Sequence, residues 1–209
     1  MYFHIKRVFD FLFSLLGIII LFPLYFLLSI FIIINMGFPF IFAQTRTGYK
    51  GKDFMLFKFR TMTSKKDSDG NLLPDNRRLT FFGKFLRSTS LDELPELFNI
   101  LKGEMSIIGP RPLPPLYNDY YKKFEKARFK VKSGLIPPDS VDTDPVISWD
   151  KQLEYEANYA NNLSFQSDVK ILIGVFNILV KRSKSQYGEY IRKALNDERK
   201  DMFNSEGVK

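Results

Sequence analysis

FLFSLLGIIILFPLYFLLSIFIIINMGFPFIFAQT, residues 11–45, carries no charged side chain. Roughly 20 consecutive apolar residues suffice to cross a bilayer, so this stretch reads as a membrane segment, and its interruptions decide how it sits. Pro23 lies inside the densest part, IIILFPLYFLL. Proline removes a backbone donor and crowds the preceding turn, which kinks or breaks a helix. Gly37 and Pro39 then close the run. Both flanks are basic: Lys6 and Arg7 before it, Arg46, Lys50 and Lys52 after it. Basic flanks favour the cytoplasmic side, so a single crossing would strand one cluster on the wrong face. The half-helix from Phe11 to Phe22 would rise only about 18 Å, short of the ~30 Å core. The expectation is a re-entrant helix-break-helix kinked at Phe22-Pro23, with both chain ends on the cytoplasmic face. A cleaved signal peptide does not fit: the run is too long, and no small-residue cleavage site follows it.

The remainder bounds the chemistry. The chain has 209 residues and a formal net charge of +8, from 31 Lys and Arg against 23 acids. Such a balance suits an anionic partner: a phospholipid surface, a nucleic acid or a phosphorylated ligand. No cysteine is present, which excludes disulfides, thiolate metal sites and cysteine nucleophiles. The single His4 lies in the lead to the apolar run and reads as interfacial. The expected fold is mainly α with a small β element: a re-entrant anchor and lead over 1–45, a compact cytosolic domain with interfacial amphipathic helices over 46–182, and a polar helix and tail over 183–209.

Within the soluble part, DFMLFKFRTM (53–62) alternates from Phe57 onward, a short strand with Lys58 and Arg60 on one face. Residues 64–78 read as a mobile polar loop. Residues 79–87 form a short amphipathic helix, and 95–102 another, stopped by Gly103. IGPRPLPP (108–115) is forced extended by its prolines. Residues 150–161 read as a helix. Ser167 and Asp168 look like the start of a further one, whose apolar stripe and basic end suit a membrane surface. Trp149 reads as packing.

SLDELPEL (90–97) sets two acids side by side, Asp92 and Glu93. One reading is a capping box, with Ser90 as N-cap and Glu93 three residues on. Pro95 objects, because it would be the fifth helical residue, where its missing N–H is felt. Starting the helix near Pro95 leaves both acids just ahead of it. Lys58, Arg60, Lys84, Arg87, Lys102 and Arg111 flank the pair in sequence. Two carboxylates among several cations suit a metal-bound diphosphate: acids hold Mg²⁺ through hard oxygens, and arginines grip phosphate with two-pronged bonds. A carboxylate can also attack phosphorus and form an acyl phosphate.

These segments resemble the monotopic bacterial phosphoglycosyl transferases, the bacterial sugar transferases. The resemblance runs through QTRTGYKGKDFMLFKFRTM (44–62), RLTFFGKFLRSTSLDELPELFNILKGEMSIIGPRP (78–112) and ISWDKQLEYEANYANNLSFQSDVKIL (147–172). It implies transfer of a phosphosugar from a UDP-sugar to undecaprenyl phosphate with release of UMP, the first membrane step of glycan assembly, on the cytoplasmic face of the bacterial plasma (inner) membrane. By that resemblance Asp92 is the nucleophile that carries the phosphosugar. Glu93 shares Mg²⁺ with it, and Lys58, Arg87 and Arg111 contact phosphate. The implied partners are the UDP-sugar, undecaprenyl phosphate and the bilayer, with no nucleic acid; a homodimer is left open. Two departures stand out. Phe22-Pro23 replaces the usual Ser-Pro. In SGLIPPDSVDTDP (133–145), Asp144 stands where the family's loop carries an arginine. The rivals are a non-catalytic membrane adaptor and a diphosphate hydrolase.

Overall fold

The computed structural model describes residues 2–142, 144, 147–182 and 192–205. Its elements are helices α1 (Tyr2–Met36), α2 (Asp75–Arg78), α3 (Phe81–Ser88), α4 (Glu96–Lys102), α5 (Trp149–Asn161), α6 (Phe165–Arg182) and α7 (Leu195–Ser205), with strands β1 (Ile41–Thr47), β2 (Asp53–Phe59), β3 (Met105–Ile108) and β4 (Ser133–Ile136). β1 and β2 pair with each other, and β3 pairs with β4. The protein is thus mainly helical with a small sheet component. The chain divides into two compact units. One comprises Met1–Val8, Thr45–Phe54 and Glu104–Lys209; the other comprises Phe9–Gln44 and Met55–Gly103.

α1 is helical throughout, with Pro23 inside it. The expected break is therefore not an interruption of helical structure: a proline withdraws one backbone hydrogen bond, and the remaining bonds of so long a helix carry it past. Among the described residues α1 alone is long and apolar enough to cross a membrane. Its surface is studded with exposed large apolar side chains, Phe22 at 65% and Ile34 at 74% among them.

In the unit built around α1, Leu28, Ile32 and Met36 pack with Phe59 of β2 and Leu86 of α3. Thr80 caps α3 by accepting a hydrogen bond from the Gly83 amide at 2.9 Å. Gly83 abuts the backbone of Thr61, whose carbonyl oxygen would lie 1.9 Å from a Cβ at that position, so no larger residue lets α3 seat there. Gly103 ends α4 in the left-handed conformation, φ +87°, a common helix terminator. Arg60 does not share a basic face with Lys58, as the alternation predicts. β2 ends at Phe59, and the Arg60 side chain is buried, donating to the carbonyls of Phe38, Pro39 and Met62 and to the Ser64 hydroxyl. It ties down the chain where it leaves α1. The polar stretch 64–78 closes on itself through Asp67, whose carboxylate accepts from the amides of Asp69 and Asn71, and it contains the single turn of α2.

In the other unit, β3 and β4 run parallel, with Met105 opposite Ser133 and Ile108 opposite Ile136. Gly109 and Gly134 let these backbones approach; a Cβ on Gly134 would meet the Gly109 nitrogen at 2.0 Å. Ile108, Val131, Tyr159, Ala160 and Ile171 form one core cluster, and Leu113, Tyr121, Trp149, Leu153 and Leu195 a second. Trp149 is packing, as expected: its indole donates to the Lys193 carbonyl at 2.9 Å, and Arg192 lies over its ring. α5 is capped by Ser148. α6 begins at Phe165 and not at Ser167, because Ser164 and Ser167 cap reciprocally, each hydroxyl accepting the other's amide. Asp168 is freed from capping and accepts from Lys6 at 2.7 Å, from Tyr2 and from Tyr159, which fastens the start of α1 to this unit. Of the expected polar helix and tail over 183–209, residues 183–191 and 206–209 lie outside the described residues, and α7 lies between them. Leu195 and Arg199 of α7 are buried, and Arg199 forms a two-pronged pair with Glu125 at 2.7 and 2.8 Å.

Candidate active site

The acid pair sits on a 3₁₀ turn, Leu91–Glu93, that feeds through Leu94 and Pro95 into α4. Ser90 adopts φ +56° and its side chain makes no cap bond, so the capping-box reading fails. A non-glycine residue in that region is uncommon and strained. Here it turns the chain sharply between α3 and the acids. Leu94 and Pro95 already have right-handed helical angles. Pro95 therefore sits just ahead of the first residue of α4, where a missing N–H costs least.

β2 supplies the opposing cation. The Lys58 ammonium lies 2.7 Å from Glu93 Oε1 and 3.2 Å from Glu96 Oε1. Asn99 fixes that arrangement: fully buried, it donates to the Met55 carbonyl at 2.6 Å and accepts from the Phe57 amide at 3.1 Å. Its amide serves as a partial strand partner along β2 and holds α4 against it, one residue from Lys58. Arg87, at the end of α3, donates to Thr61 Oγ1 at 3.1 Å and stays exposed. The structure thus brings Lys58, Arg87, Asp92 and Glu93 together in one unit, as the sequence predicts. It adds two residues that the sequence reading missed, Glu96 and Asn99. PELFNILK gives no signal for Asn99. Glu96 is concealed by the general preference for acids in a first helical turn.

The electrostatics follow from burial. Asp92 is only 9% exposed. That burial pushes its carboxyl above the usual range; Lys58 and Arg87 oppose the shift and Glu93 adds to it. Burial works against the Lys58 ammonium as well, but Glu96, Glu93 and Asp92 outweigh it, and its pKa is raised. Three carboxylates thus face one ammonium and, through Asp92, one guanidinium. Among the described residues no group of three or more side chains is arranged to hold a metal by itself. The donor set of Asp92 and Glu93 is hard oxygen, suited to Mg²⁺ that takes its remaining ligands from water and phosphate.

Arg111 belongs to the other unit. Its backbone is pinned: the amide donates to Glu156 Oε1 at 3.1 Å, and the carbonyl accepts from Arg128. Arg128 and Glu156 are themselves a buried ion pair at 2.9 Å. The Arg111 side chain is exposed. Asp144, the departure noted in the sequence, is a surface residue paired with Lys151 at 3.2 Å.

With this geometry in hand, the comparisons with known proteins are decisive for the family. The family model described as bacterial sugar transferase matches residues 1–182. The chain is 42% identical over 188 residues to the "Uncharacterized sugar transferase EpsL" of Bacillus subtilis, covering 87% of this chain and 91% of that protein. It is 35% identical over 189 residues to the UDP-glucose:undecaprenyl-phosphate glucose-1-phosphate transferase of Klebsiella pneumoniae, and 32% identical over 190 residues to the Escherichia coli protein of the same name. Those matches cover 85% and 86% of this chain but only 41% of each relative. The chain belongs to the bacterial sugar transferase family.

Proposed function

We propose that the protein transfers a phosphosugar from a UDP-sugar to undecaprenyl phosphate, with Asp92 as the attacking group. The observation that carries this is the buried Asp92 carboxylate, raised in basicity, beside cations able to receive a diphosphate. An Asp92 oxygen would bond to the sugar-bearing phosphorus as the bond from that phosphorus to the bridging oxygen breaks, and UMP would leave. A phosphate oxygen of the lipid would then attack the same phosphorus, restoring the carboxylate and yielding a sugar diphospholipid. Lys58 and Arg87 would hold phosphate oxygens, offsetting the repulsion between carboxylate and diphosphate. Mg²⁺ held by Asp92 and Glu93 would supply further neutralisation. The names of the Klebsiella and Escherichia relatives support the substrate pair.

In this reading α1 sits in the cytoplasmic face of the bacterial inner membrane as a re-entrant helix, both termini cytoplasmic. Its basic flanks and Pro23 support that topology. Membrane-impermeant labelling of cysteines placed near Met1 and at Lys50 should mark both from the cytoplasmic side only; labelling from opposite sides would overturn it.

The activity test is UMP release from UDP-glucose and other UDP-sugars, with Mg²⁺, with and without undecaprenyl phosphate. The expected result is continuous release with lipid and at most one UMP per protein without it. Continuous release without lipid would instead make the protein a diphosphate hydrolase. No release from any donor would return the adaptor reading.

A further inference from the structure

Lys58 has two acidic partners of unlike character. Its ammonium donates to Glu93 Oε1 at 2.7 Å and lies 3.2 Å from Glu96 Oε1. The Glu93 side chain is 27% exposed, and the Glu96 side chain 4%. Glu93 ends the short turn of the acid pair, Leu91–Glu93. Glu96 opens α4, the helix that Asn99 ties to β2 through the Met55 carbonyl and the Phe57 amide. The Lys58–Glu96 contact is thus built between two elements that hydrogen bonds to the backbone already lock together. The two contacts break at different cost. Separating a cation from an exposed acid costs little, because water takes up both charges. Separating it from a buried acid strands a charge without its counter-ion, and costs far more. An anion arriving from solvent therefore competes with Glu93 for the ammonium and leaves Glu96 in place. An ammonium carries three donors, so it can keep Glu96 while it turns another donor from Glu93 to a phosphate oxygen.

We infer that Glu96 is a positioning residue, which retains the Lys58 ammonium at the site while Lys58 exchanges Glu93 for a phosphate oxygen of the donor. The inference rests on the transferase reading above and adds how one lysine serves both the acid pair and the phosphate. The exchange also releases the Glu93 oxygen that Lys58 occupies. Without the Glu96 charge the ammonium would rest on Glu93, and phosphate would have to draw it from the remaining acid of the pair. The sign of the effect separates this role from two others. Glu96 is a negative charge near a site that takes phosphate. If it acted through its charge alone, removing that charge would tighten phosphate binding. If it only packed the start of α4, removing it would lower the melting temperature and leave affinity unchanged. A role in holding Lys58 predicts weaker binding, and a weakening that depends on Lys58.

The test is equilibrium binding of UDP and UDP-glucose to the full chain in detergent, with thermal melts alongside. It compares the unsubstituted protein, Glu96→Gln, Lys58→Met and the double variant. Glutamine keeps the shape of the side chain and removes its charge. The expected result is affinity about 10-fold weaker for Glu96→Gln, and no further weakening when Glu96→Gln is added to Lys58→Met. Glu96→Asp keeps the charge but draws it back by one methylene. It should also weaken binding, and it decides the matter if the glutamine variant fails to fold. Unchanged or tighter binding by the folded variant overturns the inference and leaves the transferase reading intact. An equal loss with and without Lys58 does the same. Failure of the unsubstituted protein to bind either nucleotide overturns both.

Discussion

Asp92→Asn abolishes turnover, on the order of 10³-fold or more, and leaves the protein folded. The amide matches the carboxylate in shape but cannot form an acyl phosphate, so the covalent route closes. The fold should tolerate it for an electrostatic reason. Burial raises the Asp92 pKa above its ordinary value. The contribution of such a group to stability is present below its unfolded pKa and is lost as pH rises through the raised one. The fold therefore disfavours the ionised form of this side chain, and asparagine removes that cost. Continuous UMP release and a thermal melt check the two halves separately. A variant with a normal rate would remove Asp92 from the chemistry. A variant that fails to fold would show that the carboxylate is required by Lys58 and Arg87, the cations facing it.

Glu156→Ala carries the largest expected loss of stability, about 3–5 kcal/mol, which for a chain of this size lowers the melting temperature by about 10 °C. Glu156 is fully buried. It pairs with Arg128, accepts from Gln152 at 3.0 Å and receives the Arg111 amide. Deleting it leaves the Arg128 guanidinium, 2% exposed, without its counter-charge in a region water does not reach. That uncompensated charge, more than any lost attraction, sets the magnitude. Glu156→Gln should cost less, because the amide still accepts from the Arg111 backbone. Denaturant melts of the two variants check the ordering. Equal losses would mean that the charge, and not the hydrogen bond to Arg111, accounts for the whole effect.

The boundaries of the local elements were legible where side-chain chemistry acts on its own backbone. Gly103 ends α4, the apolar run lies as far as Met36 in the one helix among the described residues long and apolar enough to cross a membrane, and Pro95 stands at the edge of the helix that follows the acids. The sequence was misleading where a tertiary partner outbids a local one. Ser90 and Glu93 have the spacing of a capping box, yet Glu93 turns to Lys58, thirty-five positions earlier in the chain. Lys58 and Arg60 share a strand face by alternation, yet Arg60 is withdrawn to bind carbonyls at the exit from α1. Asp168 has the appearance of a helix start, yet Ser164 takes that role, and the freed carboxylate fastens Lys6.

By itself the sequence determined the long apolar N-terminal segment, the family and the adjacent acid pair, because apolar length, charge and motif spacing are local properties of the chain. Only the tertiary structure decided what each charge is for. It separates cations bound to backbone carbonyls, such as Arg60, from those facing acids, such as Lys58. It shows that Glu96 and Asn99 support the acid pair, and that Asp144 is a surface residue paired with Lys151. The reason is that a side chain's role is set by its desolvation and its partners, and both come from residues that are distant in sequence and adjacent only in the folded chain.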